Sequence, residues 1–384
     1  MRIGIDARYL SHGLVGGVHT YIAHFIPALI DLTSDHQLFL YADDKRPFEL
    51  TKLPNHVTVR TLPYRNALSS VYHDLTLAQV MKGDHLDVAH FPANYGFAPA
   101  GCRSVVTLHD VINILPLREI IRGHRKQLRT MVMMTYLHVM SLQAVRKADL
   151  LLTVSQHAQR EIAQQSGLPL HKIVPIPHAP TADLKRITDD DVLQRTRTRH
   201  GLRKPFVLAD GLKNPGVLVE AWRLLPAGLT ADREIVFFTR HGDPLPIVDA
   251  AVADGIARRL VHPPREDLIA LYSMADAFVF PSWIEGFGLP VLEAMTCGAP
   301  IIASDRGAIP EVLGDAGLLA DAEDADGFAQ HLTAVLLSKE DAKILRHRGF
   351  RRAAQFSWHN TAQLILDSYR RALTVDAQPA YAHG

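Results

Sequence analysis

Glu285 and Glu293 flank Gly286, Gly288 and Pro290 in the stretch DAFVFPSWIEGFGLPVLEAMTCG. The apolar run Ala277–Phe280 reads as a buried strand that empties into the loop 281–288. Pro290 suits the first turn of a following helix, because its missing amide hydrogen has no partner to lose there and its φ is already helical. That helix reads as Val291–Cys297, with Gly298 placed to stop it. Gly286, Gly288 and the amides of Phe287 and Leu289 therefore crowd a helix N-terminus at the carboxyl end of a strand. Amides and the positive end of a helix dipole favour a phosphate there, each exposed contact contributing roughly 0.3–1 kcal/mol. A diphosphate needs several such contacts and a cation. A carboxylate beside a phosphate is repulsive unless it faces hydroxyls, so Glu285 at this turn suits a ligand carrying both, such as a sugar nucleotide. Taken alone, Glu293 is equally well a charge in the first turn of a helix.

The elements that must hold this turn alternate along the chain. Short apolar runs at Ile3–Asp6, Gln37–Tyr41, Val57–Arg60, Asp87–Phe91, Ser104–Leu108, Leu150–Val154 and Ile173–Ile176 read as strands. Val18–Leu32 carries Ile22, Phe25, Ile26, Leu29 and Ile30 at helical spacing. Runs apolar on both faces suit a parallel sheet covered by helices. The charged stretch ADLKRITDDDVLQRTRTRHGLRK lacks a buried run and reads as a surface linker, its Asp189–Asp191 run a solvated charge cluster and not a metal site. Alternation then restarts at Phe206–Ala209, Glu234–Thr239, Ala277–Phe280 and Pro300–Ala303. The expected division is residues 1–182, a linker over 183–204, a second domain over 205–357, a terminal helix over 358–374 and a frayed tail over 375–384.

Composition narrows the function classes. The 384 residues carry 41 Lys and Arg against 40 Asp and Glu, so no broad basic surface for nucleic acid is expected. Hydrophobic residues at 47% and charged residues at 21% supply an ordinary core. Cys102 and Cys297 make no disulfide framework, no apolar leader opens the chain, and no run approaches the length of a membrane span. A cytoplasmic location is expected. No H-E-x-x-H, paired C-x-x-C or Walker sequence occurs, so neither a metal nor a cofactor is expected.

The stretch EGFGLPVLEAMTCGAPIIASDRGAIPEVLGDAGLL resembles the E-x7-E signature of glycosyltransferase family 4, retaining enzymes of GT-B architecture that use nucleotide sugars. The resemblance extends to LIALYSMADAFVFPS, to FSWHNTAQLILDSYRRAL and, more loosely, to IGIDARYL, GGVHTYI, VVTLHDV and ADLLLTVSQHAQREI. It implies an α/β fold of two Rossmann-like parallel-sheet domains facing across a cleft, an acceptor-side domain first and a donor-binding domain second, with a C-terminal helix crossing back to the first. By the same resemblance Glu285 contacts the donor sugar, Glu293 holds the ribose hydroxyls, and the amides of Phe287, Gly288 and Leu289 bind the diphosphate or sugar. Lys213 in LKNPGVLVEAW corresponds to the phosphate-binding lysine, Gly16 and Gly17 to a loop that approaches the phosphates, and His109 to a histidine facing the donor sugar. His109 also has the plainer reading of a packed ring with satisfied nitrogens.

The match has departures. The family usually carries an Arg shortly before the lysine; VLADGLKN has none, leaving Arg240 or Arg203 as substitutes. IPHAPT and IVFFTRHGD replace the family's usual turns. Similarity to bacterial mannosyl- and rhamnosyltransferases of surface-polysaccharide assembly implies a GDP-sugar donor such as GDP-mannose, with a UDP-sugar as the alternative, and a lipid-linked or oligosaccharide acceptor. The cluster Arg118, Arg122, Arg125, Lys126 and Arg129 reads either as the solvated start of a helix or as a contact with anionic lipid. The rival readings are a non-catalytic nucleotide-sugar-binding protein and a nucleotide-sugar epimerase of the same architecture.

Overall fold

The computed structural model describes residues 1–12, 16–45, 53–122 and 128–374. They form two compact units: the described residues of 1–178 with 358–374, and residues 179–357. The first unit is built on seven parallel strands: β1 Arg2–Asp6, β2 Gln37–Asp43, β3 Val57–Leu62, β4 Val88–Phe91, β5 Arg103–Thr107, β6 Leu150–Thr153 and β7 Ile173–Pro175. The second unit has six: β8 Phe206–Asp210, β9 Glu234–Thr239, β10 Ala257–Val261, β11 Ala277–Phe280, β12 Ile301–Ser304 and β13 Gly317–Ala320. Their orders are β3-β2-β1-β4-β5-β6-β7 and β10-β9-β8-β11-β12-β13. Each sheet therefore reverses direction once, between β1 and β4 and between β8 and β11. Ligands of doubly wound sheets bind beyond the carboxyl ends of the two strands at such a switch point. Every residue of β4, β6, β8, β9, β11 and β12 is buried, which is why these strands are mostly apolar on both faces rather than alternating.

Helices cover both sheets. In the first unit the helix Gly17–Leu32 buries Tyr21, Ile22, Phe25, Ile26, Leu29 and Ile30. Trp358–Thr374 buries Ala362, Ile365, Leu366, Tyr369 and Ala372 in the same core, the spacing of one helical face. Its Tyr369 hydroxyl lies 2.7 Å from Nδ1 of fully buried His90. The last helix is thus part of the first unit's core.

Several elements differ from the expectation. The stretch 183–204 is not an extended linker: Asp190–His200 is a helix of the second unit, and the units divide at 178/179 rather than after 182. Asp189 caps this helix by accepting from the amides of Asp191 and Val192. Arg199 and His200 pin it to buried Asp267 at 2.8 Å each. Only Thr196 of the helix is buried, so its sequence carries almost no apolar periodicity. Strands β10 and β13 were not foreseen: ARRLV holds two arginines and sits at a sheet edge, and GLLA is only partly buried. The helix after the glutamate loop spans Leu289–Thr296, starting ahead of Val291, and Gly298 follows its Cys297 cap with φ 81°.

Arg118 and Arg129 are exposed on the helices Leu117–Arg122 and Leu128–Lys147. Arg125, Lys126 and the tail 375–384 lie outside the described residues, as does the side chain of Arg122. Among the described residues no helix is long and apolar enough to cross a membrane.

Candidate active site

The switch point of the second sheet gathers the loops after β8 and β11. Strand β8 ends at Asp210, which is buried and accepts the Leu212 amide at 2.9 Å. Burial raises the Asp210 pKa, opposed by that amide and by the charges of Arg240 and Lys213. Its Oδ2 is buried and accepts no hydrogen bond among the described residues, and Arg240 Nη2 from the end of β9 stands 3.8 Å away. Lys213 Nζ reaches Glu285 Oε1 of the β11 loop at 2.6 Å. Both ends of this pair are partly accessible, so the pair itself contributes little to stability and its charges stay open to exchange of partner.

The surroundings fix that geometry. Asn214, held at φ 48°, donates from Nδ2 to the carbonyls of Pro281 at 3.0 Å and Ala322 at 2.7 Å, tying the β8 loop to the segments after β11 and β13. Ser282 Oγ donates to Glu285 Oε1 at 3.0 Å, and Ser304 Oγ donates to the Ser282 carbonyl at 2.6 Å. The Ala308 amide donates to the Glu285 carbonyl at 3.0 Å, and the missing side chain of Gly307 leaves room for the Glu285 backbone: a Cβ there would lie 2.5 Å from its oxygen. Phe287 buries its ring edge-on to Phe356, with centroids 6.0 Å apart. Gly288 turns the chain into the helix at φ 96°, a conformation L side chains resist. Val291 and Leu292 amides both donate to the Gly288 carbonyl, while the amides of Gly288 and Leu289 donate to no acceptor among the described residues. The helix carries no side-chain cap. It therefore offers an anion two donors and the positive end of its dipole.

Glu293 lies on the same helix, mostly buried. Burial raises its pKa and Arg265 opposes that rise, Arg265 Nη1 standing 3.5 Å from Glu293 Oε1. Arg265 also binds Asp183 and the Thr181 hydroxyl. Glu285, Glu293, Phe287, Gly288, Leu289, Lys213 and Arg240 thus all lie at the carboxyl edge of β8, β9 and β11. Arg203 is exposed ahead of β8, at the opposite edge. Asp210, Asn214, Asp183 and Arg265 were missed by sequence reasoning. Asp210 was findable as a carboxylate ending an apolar strand. Arg265 follows β10, whose own arginines hid it.

The first unit places its residues separately. His109, beyond β5, is buried; its Nε2–H donates to the Pro92 carbonyl at 2.9 Å, and Nδ1 remains as the ring's acceptor. Burial lowers its pKa to about 4, so the ring is neutral near pH 7 and was available in sequence only as a packed or a ligand-facing residue. Gly16 caps the helix that Gly17 begins; its backbone is extended and a Cβ would meet nothing within 4 Å among the described residues. At the first sheet's own switch point buried Arg8 binds Asp6 at 2.8 and 2.7 Å and Asp74 at 2.9 Å. Asp74 also accepts from the Tyr95 and Tyr136 hydroxyls at 3.0 and 2.6 Å. Sequence reasoning did not single out this network.

Residues 15–180 match the family described as Glycosyltransferase Family 4, and residues 208–338 the one described as Glycosyl transferases group 1. The chain is 32% identical over 295 residues to the O-antigen chain mannosyltransferase B of Escherichia coli, covering 75% of each protein. Among solved structures it is similar to sucrose-phosphate synthase from Thermosynechococcus elongatus, with a TM-score of 0.68 at 19% identity over 96% of this chain and 98% of that one. It is also similar to Anabaena Alr3699/HepE in complex with UDP and glucose, with a TM-score of 0.65 at 17% identity over 96% and 99%. These structural likenesses carry the fold, two parallel-sheet units of the GT-B class. With both units matched and a relative aligned over most of its length, the chain belongs to glycosyltransferase family 4.

Proposed function

We propose that this glycosyltransferase moves a hexose, mannose in the first instance, from a GDP-sugar to a hydroxyl of a lipid-linked or oligosaccharide acceptor in surface-polysaccharide synthesis, with retained anomeric configuration and without a metal. The observation that carries the reading is the Lys213–Glu285 pair at 2.6 Å beside the Gly288 and Leu289 amides, which offers a cation, a carboxylate and two donors at one point. On donor binding, Lys213 and the amides take the diphosphate and Glu285 turns to the sugar hydroxyls. As the C1–O bond to the diphosphate breaks, the acceptor oxygen bonds to C1 from the same face and its proton passes to the departing phosphate. Lys213 and the amides stabilise the charge that grows on that leaving group. Glu293 and Arg265 serve the nucleoside end, Glu293 through the ribose hydroxyls. In the first unit, His109 with its neutral Nδ1 and the Gly16–Gly17 pair are the residues that the family resemblance assigns to the donor. Arg240 supplies the second cation that the sequence lacks ahead of Lys213.

The likeness to the E. coli mannosyltransferase supports mannose and an O-antigen-type acceptor. The Anabaena protein solved with UDP and glucose supports a UDP-sugar as the second reading. Work at the cytoplasmic face of a membrane fits an exposed apolar face on the first unit. Leu68, Tyr72 and Leu75 project from the helix Ala67–Lys82, and Leu128 and Val132 from the helix Leu128–Lys147. Asp74 joins the two helices through the Tyr136 hydroxyl. Arg118 and Arg129 are exposed on the helices Leu117–Arg122 and Leu128–Lys147, and a basic residue near anionic lipid is worth about 1 kcal/mol.

The deciding experiment incubates the protein with GDP-mannose, UDP-glucose and dTDP-sugars and a polyprenyl-linked oligosaccharide. Transfer from GDP-mannose with an axial product linkage is expected. Transfer from UDP-glucose alone replaces the donor assignment. Donor binding with no transfer to any acceptor turns the protein into a binding module, and a rearranged free nucleotide sugar turns it into an epimerase.

A further inference from the structure

A cavity of about 470 Å³ opens in the second unit where β11 begins. Its wall carries five cations, Arg186, Arg197, Arg233, Lys339 and Arg346, and one carboxylate, Asp276. That carboxylate is already engaged, with Arg233 Nε at 3.3 Å. Arg346 donates from Nε to the Gly298 carbonyl at 2.8 Å. Arg197 lies over the Phe206 ring, 5.9 Å from its centroid. Arg186 has a buried Nε with no acceptor and no ion pair among the described residues. Burial and the Arg186 charge together lower the Arg346 pKa, which places the two guanidinium groups within reach of each other's field. Clustered cations with an unmet buried donor destabilise a fold unless an anion answers them.

We infer that this cavity is a second ligand site, separate from the donor site, for a small phosphate ester. Guanidinium forks match the geometry of phosphate oxygens, and several of them around one cavity favour a multiply charged anion over chloride. The volume is that of a small-molecule site. Leu193, Met274 and Leu336 line it alongside the cations and suit the carbon skeleton of a sugar or nucleoside. Its place separates it from the donor. Asp276 stands immediately before β11 and Glu285 lies in the loop after it, so the two sites occupy opposite ends of one strand. Arg346 also grips the carbonyl just past the helix Leu289–Thr296, whose other end is the Gly288–Leu289 turn. An occupant that draws on Arg346 thereby touches the element that carries the donor amides.

The test is calorimetric titration and thermal unfolding of the full chain in the Lys213→Gln, Arg240→Gln background, which removes both cations that the donor reading gives to the diphosphate. The probes are mannose 6-phosphate, inorganic phosphate and mannose, each against potassium chloride at matched ionic strength. Saturable binding and a raised Tm with mannose 6-phosphate are expected, weaker with inorganic phosphate and absent with mannose. Arg186→Gln is expected to weaken the ester at least tenfold while the unliganded protein unfolds at the same temperature or higher, because a repulsion and an unmet donor have gone. Lys339→Gln, at an exposed position, is expected to weaken it in the same direction. Equal affinity in the parent and Arg186→Gln proteins overturns the inference. So does a response to the ester no larger than that to chloride. These readouts need no transfer activity, so they stand or fall apart from the donor assignment.

Discussion

Lys213 Nζ and Glu285 Oε1, from loops after two neighbouring strands, meet at 2.6 Å. In the proposed reaction the two charges of this pair separate, Lys213 to the phosphate and Glu285 to the sugar hydroxyls. Lys213→Ala and Glu285→Gln are each expected to lower kcat/KM by about 10²–10³-fold, the effect of removing one donor to a charged transition state. The unfolding temperature should move little, since a partly accessible pair of this kind is worth about 1 kcal/mol. Steady-state kinetics with circular dichroism as the fold check decides it; wild-type turnover in both variants removes this pair from the site.

Gly307 tests how tightly the Glu285 backbone is seated. An added Cβ would stand 2.5 Å from the Glu285 oxygen and 2.7 Å from its nitrogen, at φ 62°. Gly307→Ala is therefore expected to cost about 1–3 kcal/mol of stability and to reduce turnover by displacing Glu285. Gly228→Ala, in a helix with open space around it, is the control and should be neutral or slightly stabilising. Thermal melts and initial rates on both variants are sufficient; unchanged turnover in Gly307→Ala would show that Glu285 tolerates displacement.

Asn214 is a positioning residue by geometry, since both hydrogens of its amide go to backbone carbonyls. Asn214→Asp replaces those donors with oxygens facing oxygens and is expected to destabilise by about 1–3 kcal/mol. A Lys213 no longer held by its loop should raise the donor KM more than it lowers kcat. A fall in kcat at unchanged KM would count against positioning and for direct participation.

Buried histidines of the first unit, His90, His109 and His178 among them, set an acid limit. Burial, helped by the His109 charge, lowers the His90 pKa to about 3; burial lowers His109 to about 4 and His178 well below its usual value. In the unfolded chain these rings take up protons near pH 6.5. The stability tied to their neutral forms is therefore complete above that pH and is lost as pH falls below it towards 4. Each ring contributes a slope of about 1.4 kcal/mol per pH unit. The Tm should fall steeply between pH 6.5 and 5, and His90→Gln should flatten the slope. A Tm level over that range contradicts neutral burial of the three rings.

The strands that place the site were legible because burial on both faces demands continuous apolar runs, as in FVLAD and AFVF. The turn into the helix Leu289–Thr296 was legible too, since Gly288 and Pro290 serve backbone demands that few other residues meet. Local chemistry of this kind is written within a few consecutive residues. The helix Asp190–His200 was not legible, because Asp267, far along the chain, holds it by ion pairs rather than by an apolar face. Nor was the company of Lys213: that Glu285 would lie against it, that Arg240 would approach Asp210 and that Arg265 would pair with Glu293 follows from strand order β10-β9-β8-β11. Sequence by itself determined the apolar central strands, the glycine turn ahead of the helix Leu289–Thr296 and the side chains that stand at their ends. Only the tertiary structure decided which of those ends are neighbours, because charges separated along the chain become partners through the order in which the sheet assembles.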